Sequence, residues 1–243
     1  MCSSDLKFQD VYNDASFQIV AQVHLLSIQK FFVFVHSSDE RIFPKNKKET
    51  MQFAQVDLSQ VSLSNLVTGK GCKTAAASYN GAPCKFLLSQ AEWFATPFGA
   101  STYDKDPGAT RLTMEMDVTG KDVHPLLQAL DRWVVEHVIQ NNLFEGMSRE
   151  DVAKQYHSCL QFSEKYNSHR LRTKVNVAGM TACKWFHHES KDPLAFGALD
   201  LRQSVIQPVI HFKGLWKQST QWGVSLDVVK ALVDSNGSDA WDF

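Results

Sequence analysis

The stretch RLRTKVNV, residues 170–177, alternates strictly between apolar or small and polar side chains. As a β-strand it puts Leu171, Thr173, Val175 and Val177 on one face. Arg170, Arg172, Lys174 and Asn176 then share the other. Three cations in succession repel one another, so an anion belongs nearby. Acids on a neighbouring strand would supply it from within the fold. A phosphate backbone lying across the strand would supply it from outside.

Single-stranded nucleic acid is commonly held by such cations together with rings that stack on bases, each stacked base worth about 1–3 kcal/mol. The segment AEWFATPFGASTY carries Trp93, Phe94, Phe98 and Tyr103, and Trp185 stands beside Lys184. Trp93 and Phe94 are the first candidates for stacking, with Phe98 in reserve. Core packing competes for every ring: Trp133 is assigned to a helix core, and Trp216 and Trp222 to the filling of a barrel. Lys85, and Lys73 in the basic run Gly69-Lys70-Gly71-Cys72-Lys73, join Arg170, Arg172 and Lys174 as candidate phosphate contacts. That run lacks the spacing of a nucleotide-binding P-loop.

Enzyme motifs are absent: there is no GxGxxG, GxSxG or HExxH. The run His187-His188-Glu189, with Asp192, could do acid–base work only if a concave pocket gathers it. Zinc would accept His157, Cys159, Cys183, His187 and His188. No Cys-x₂-Cys pairing accompanies them, and His157 and Cys159 point apart if they share a helix. No metal and no cofactor is expected.

The chain finishes DSNGSDAWDF, with Asp234, Asp239 and Asp242 and no cation. Most acidic ends are solvated and frayed, but a frayed end has no packing reason to carry Trp241 and Phe243. The net charge is −1. Taking the three tail charges away leaves +2 on residues 1–233, so the body is slightly basic and the tail holds the acid.

With 243 residues, 44% hydrophobic and 21% charged, the composition is that of a globular protein. No apolar run reaches the roughly 18 residues of a membrane span. The start, MCSSDLKFQD, has neither basic nor apolar region of a secretory signal. Five cysteines without a close repeat read as reduced thiols in an intracellular compartment, nucleus or cytoplasm.

The elements that must position these residues follow from period and turns. FFVFV, residues 31–35, reads as a buried strand, and Met51, Phe53 and Leu58 face a core from extended chain. Asn80-Gly81 reads as a hairpin turn. RLTMEMDV, residues 111–118, alternates Leu112, Met114, Met116 and Val118 against Arg111, Thr113, Glu115 and Asp117. From Val123 to Val138 the period becomes helical. SREDVAKQYHSCL opens a second helix with Ser148 as N-cap and Glu150 and Asp151 in its first turn. Residues 205–212 and 222–228 read as two strands joined through Gly214, and Pro208 marks an edge or a bulge. Strands, a helical insert and strands again predict a mainly β fold with helical insertions (α+β), a small β-barrel elaborated by helices.

YNGAPCKFLLSQAEWFATPFGASTY, followed by RLTMEMDV and a helix with Leu130-Asp131 at its middle, resembles the single-stranded-DNA-binding proteins of large nucleocytoplasmic DNA viruses. PVIHFKGLWKQSTQWGVSLDVV is similar to that family's last strands, and the resemblance covers roughly residues 50–230. It implies an OB-fold-like β-barrel that binds single strands with little sequence preference and without catalysis. It also implies a boundary scheme: an N-terminal extension 1–50, a barrel domain 51–233 with an insert 121–165, and a tail 234–243. In such a protein Asp239, Trp241, Asp242 and Phe243 would mask the groove and dock a polymerase, primase or helicase. Replication, repair or recombination, in the nucleus or at a cytoplasmic viral replication site, is the expected setting, and self-association is left open. The rival expectation is a non-catalytic protein-interaction or virion-structural module on the same barrel.

Overall fold

The computed structural model describes residues 51–69, 71–102 and 108–235. The expected strand at 31–35, Tyr103, and Asp239, Trp241, Asp242 and Phe243 lie outside the described residues. Fifteen strands occur among the described ones: β1 (Met51–Gln52), β2 (Val61–Leu63), β3 (Val67–Thr68), β4 (Lys73–Tyr79), β5 (Ala82–Leu87), β6 (Phe94–Ala95), β7 (Ala100–Ser101), β8 (Arg111–Asp117), β9 (Tyr156–His157), β10 (Leu160–Ser163), β11 (Ser168–Asn176), β12 (Lys184–His187), β13 (Pro193–Leu194), β14 (Val205–Lys217) and β15 (Trp222–Asp234). Two α-helices, α1 (Val123–Gln140) and α2 (Arg149–Lys154), fall between β8 and β9. Neither is long and apolar enough to cross a membrane.

The fold is mainly β with helical insertions. The main sheet runs β1-β5-β4-β14-β15-β11-β8-β7. Among the described residues this path is open rather than closed into a barrel, since β1 pairs only with β5 and β7 only with β8. The Asn80-Gly81 turn forms as the sequence predicts: both residues take positive φ, 50° and 77°, the requirement of a tight β4–β5 hairpin. Met114, Met116 and Val118 enter the core completely. Across them lies the apolar stripe of α1, namely Val123, Leu127, Leu130, Val134 and Val138. Ser148 caps α2 by accepting the Asp151 backbone N–H at 3.0 Å.

Two local expectations are corrected, and a third, for Pro208, is met in one of its two alternatives. The second helix ends at Lys154, so neither His157 nor Cys159 is helical. The buried Trp222 stops it: its indole donates to the Val152 carbonyl at 2.7 Å and its backbone N–H to Gln155 O at 3.0 Å. Tyr156 then joins the sheet, its hydroxyl donating to the Asp131 carboxylate of α1, as does that of Ser158. Gly214 does not join two strands but lies inside β14, where a Cβ would sit 1.8 Å from Ala75 O. The actual turn is closed by Gln218 N–H on Gln221 O. Pro208 lies in an interior strand, just before the bulge that leaves Val229 of β15 without a partner in register. A second bulge at Lys213 of β14 shifts the pleat again.

Candidate nucleic-acid interface

Strand β11 pairs with β8 on one side and with β15 on the other, Lys174 lying beside Asp227. Strand β12 takes over the same edge of β15, with Lys184 beside Lys230. The two short pairings set Arg172, Lys174 and Lys184 along one edge, on the face turned away from the core cluster. Lys174 and Lys184 are about 7 Å apart along the sheet, since β14 spans their partners Asp227 and Lys230 with the two steps from His211 to Val209. On the far side of Asp227, β14 places His211, and β5 places Lys85 opposite His211. This is a cationic ridge spread over five strands.

Asp227 is its buried centre, 3% exposed. It accepts from Arg111 at 2.7 Å and pairs with Lys213 at 3.3 Å. Lys174 donates to Thr113 Oγ1 at 2.6 Å. Burial, and then the neighbouring Arg172 and Arg111 guanidinium groups, hold the Lys174 ammonium below its usual range, while Asp227 opposes them. Lys230 is lowered in the same way, by burial and then by Lys184. Burial is the larger cause for both ammonium groups and like charge the smaller, and an external anion would relieve the second.

The expected acids on the neighbouring strand are also present. Glu115 faces Arg172 and Asp117 faces Arg170 across the β8–β11 ladder. They serve the Arg170 end. Arg170, expected as an open phosphate contact, is instead buried, 9% exposed. Its guanidinium lies over Phe98 at 4.4 Å and Tyr166 at 4.7 Å, with Glu115 at 3.5 Å. Held against both rings, whose centroids lie 5.8 Å apart, it stiffens a ledge of two rings at the end of the ridge. Phe98, the reserve candidate, is partly exposed there, and Tyr166 is 41% exposed.

Phe94 is corrected outright: it is 0% exposed, pairs in register with Ile206, and has no face for a base. The pleat explains this, because a residue and its neighbour point to opposite faces. Trp93 stays partly exposed and stacks on His188 at 5.1 Å. Trp185 is likewise buried, and Phe186 lies under Lys230 at 5.1 Å. Trp222 fills the core and Trp133 packs at its margin, while Trp216 is only partly buried and its indole donates to Val224 O at 3.1 Å.

Lys73 leaves the ridge altogether. It is in phase with the buried Ala75 and Ala77, and it pairs in register with Lys217, whose ammonium lies over Phe144 at 4.9 Å. The bulge at Lys213 turns this part of β14 over, so Lys73 and Lys217 emerge on the core side. Lys85, in the opposite phase on β5, stays with the ridge. Arg111, Lys184, Lys213, Lys230 and His211 were not singled out in the sequence. Arg111 and Lys213 belong to alternating runs, but their convergence depends on strand order.

The candidate zinc ligands are dispersed among other duties. Cys159 donates to Asp131 at 3.3 Å, His157 pairs with Gln161, and Cys183 is buried with its thiol pushed up by desolvation. Among the described residues no three ligating side chains gather. His187 Nδ1 accepts the Glu189 and Ser190 backbone N–H groups and so closes its own turn. The two best-formed hollows among the described residues hold about 30 and 70 Å³, and neither is lined by His187 or His188. They have room for a few waters, not for a metabolite.

No protein-family profile matches this chain, and no curated protein matches it. Among solved structures, the single-stranded DNA-binding protein from bacteriophage Enc34 in complex with ssDNA aligns over 71% of this chain and 95% of its own, at 9% identity and a TM-score of 0.41.

Proposed function

We propose that this chain binds single-stranded DNA along the β11–β15–β14 face, with little sequence preference and without covalent chemistry. The carrying observation is the sheet register that assembles Arg172, Lys174, Lys184, Arg111, Lys213 and Lys85 around one buried carboxylate. Cations set at strand spacing suit a repeating phosphate backbone. Rings stand near both ends: Phe98 with Tyr166 at one, Trp93 on His188 at the other. Rings stack on any base, so the arrangement favours flexible single strands over duplex and reads no sequence. A role in replication, repair or recombination follows from such binding.

The acidic tail belongs to the same proposal. Asp239 and Asp242 compete with phosphate for the ridge, and Trp241 and Phe243 dock a polymerase, primase or helicase once DNA displaces them. Attraction between exposed charges is modest and screened by salt, so the tail tunes affinity rather than abolishing it. Deleting residues 234–243 is expected to tighten binding at low salt; unchanged affinity there would remove the masking role.

The direct test is fluorescence anisotropy of labelled oligo-dT, about thirty nucleotides long, a few times the usual site size of one such domain. With about four phosphates neutralised, affinity should fall roughly 30- to 60-fold between 50 and 200 mM salt. Duplex of the same length should bind much less. No binding at low salt, with or without the tail, would leave the fold as a protein-docking module.

A further inference from the structure

We propose that Lys85, His211 and Lys213 form a subsite for one phosphodiester group, and that His211 gains a proton when that group arrives. The inference rests on the proposed reading of this face. The position comes first. His211 sits on β14 directly between Lys85 of β5 and Asp227 of β15. The bulge displaces Lys213, two residues along the same strand, so that its ammonium reaches Asp227 at 3.3 Å. Lys85 is exposed and the Lys213 side chain is 44% exposed, so both cations can be approached from solvent.

Asp227 is the acid among the groups acting on His211, and it is already shared. It serves Arg111 at 2.7 Å and Lys213, and it also lies beside Lys174 of β11. The imidazole therefore stands half-buried between two ammonium groups, with a carboxylate committed elsewhere. Burial, then Lys85, then Lys213 push its pKa below the ordinary value, and Asp227 opposes them. An arriving phosphodiester changes that balance. It carries a full negative charge at any pH where the protein is folded, so it does not titrate itself. Its oxygens would neutralise the two ammonium groups and accept a hydrogen bond from the imidazolium.

The sign follows from linkage. A group that binds its proton more tightly in the complex than in the free protein makes affinity rise as pH falls. The rise occupies the ordinary imidazole range and levels off below the lowered pKa of the free protein. His211 differs here from Lys85 and Lys213, which stay charged throughout and contribute salt dependence alone.

The experiment is oligo-dT binding by the full chain at constant ionic strength, from about pH 8 to about pH 5.5, across the ordinary imidazole range. Wild type is expected to gain roughly threefold to tenfold in affinity, the gain from one proton held that many times more tightly in the complex. His211→Gln should bind with an affinity that no longer changes over this window. A wild-type affinity that is flat with pH overturns the proposal. So does a rise that His211→Gln retains, which would move the effect to another histidine. As a second readout, the His211 imidazole followed by NMR should titrate at higher pH with oligo-dT present than without; the reverse order, or no change, would count against the subsite. Absence of binding at every pH would overturn the reading of the face itself, and the subsite with it.

Discussion

The Arg172→Glu, Lys174→Glu double variant is expected to bind oligo-dT at least about a hundredfold more weakly than wild type at low salt. A hydrogen bond to a charged group contributes about 1.5–3 kcal/mol, so losing two predicts a deficit of about 3–6 kcal/mol before new repulsion is added. The salt dependence should flatten as well, by about one unit of logarithmic slope for each lost contact. Both residues are only partly buried. Arg172→Glu would face Glu115 and Lys174→Glu would lie beside Asp227, so the thermal midpoint should fall as well, and affinity is compared at a temperature where circular dichroism shows both proteins folded. Lys73→Glu is the matched comparison. Lys73 is exposed but emerges beside Lys217 on the core side of the sheet. Its reversal should change affinity less than about threefold, the scale of an exposed charge acting at a distance. If the double variant binds like wild type, or if Lys73→Glu is equally damaging, the ridge is not where the strand lies.

Gly214→Ala should destabilise the fold by about 4 kcal/mol or more, an exceptional cost for a single added methyl. The residue takes φ of +123°, and a Cβ would meet Ala75 O at 1.8 Å and Ala77 N at 2.8 Å. No flexible side chain can yield there, because the obstacles are the backbone of β4. Strand β14 would have to separate from β4, and the neighbouring bulge that presents Lys213 would be lost with it. Gly179→Ala is the comparison, since Gly179 also has positive φ, +81°, but nothing within 4 Å of its missing Cβ. It should cost about 1–2 kcal/mol, the backbone penalty alone. Urea denaturation of the two variants decides the matter, and equal costs would show that the β14–β4 approach is not what requires glycine.

Much of the local structure was legible in the residues. Strict alternation announced β8 and β11, and the change to helical period announced α1. Asn80-Gly81 closed its hairpin and Ser148 capped its helix. Each of these signals is local, carried by neighbours within a turn or a few strand residues. The cation row of β11 was legible for the same reason, and Arg172 and Lys174 remain its open members.

The errors lie where a residue's fate depends on distant chain. Arg170 has the same alternation as Arg172, but Phe98, Tyr166 and Glu115 from other segments enclose it. Phe94 looked as available as Trp93 until the pairing of β6 with β14 fixed its face. Lys73 and Lys85 looked equivalent. Across their two-residue turn Lys85 falls in phase with Ala76 and not with Lys73, and the extra residue in β14 matches that inversion, since a period of two inverts with every unit of register. The gathering of Arg111, Lys174, Lys213 and His211 about Asp227 draws on four strands and could be seen only once their order was known. By itself, then, the sequence determined which elements form and that one strand face is basic. The tertiary structure decided which cations share that face, because register and bulges assign faces and no local pattern encodes them.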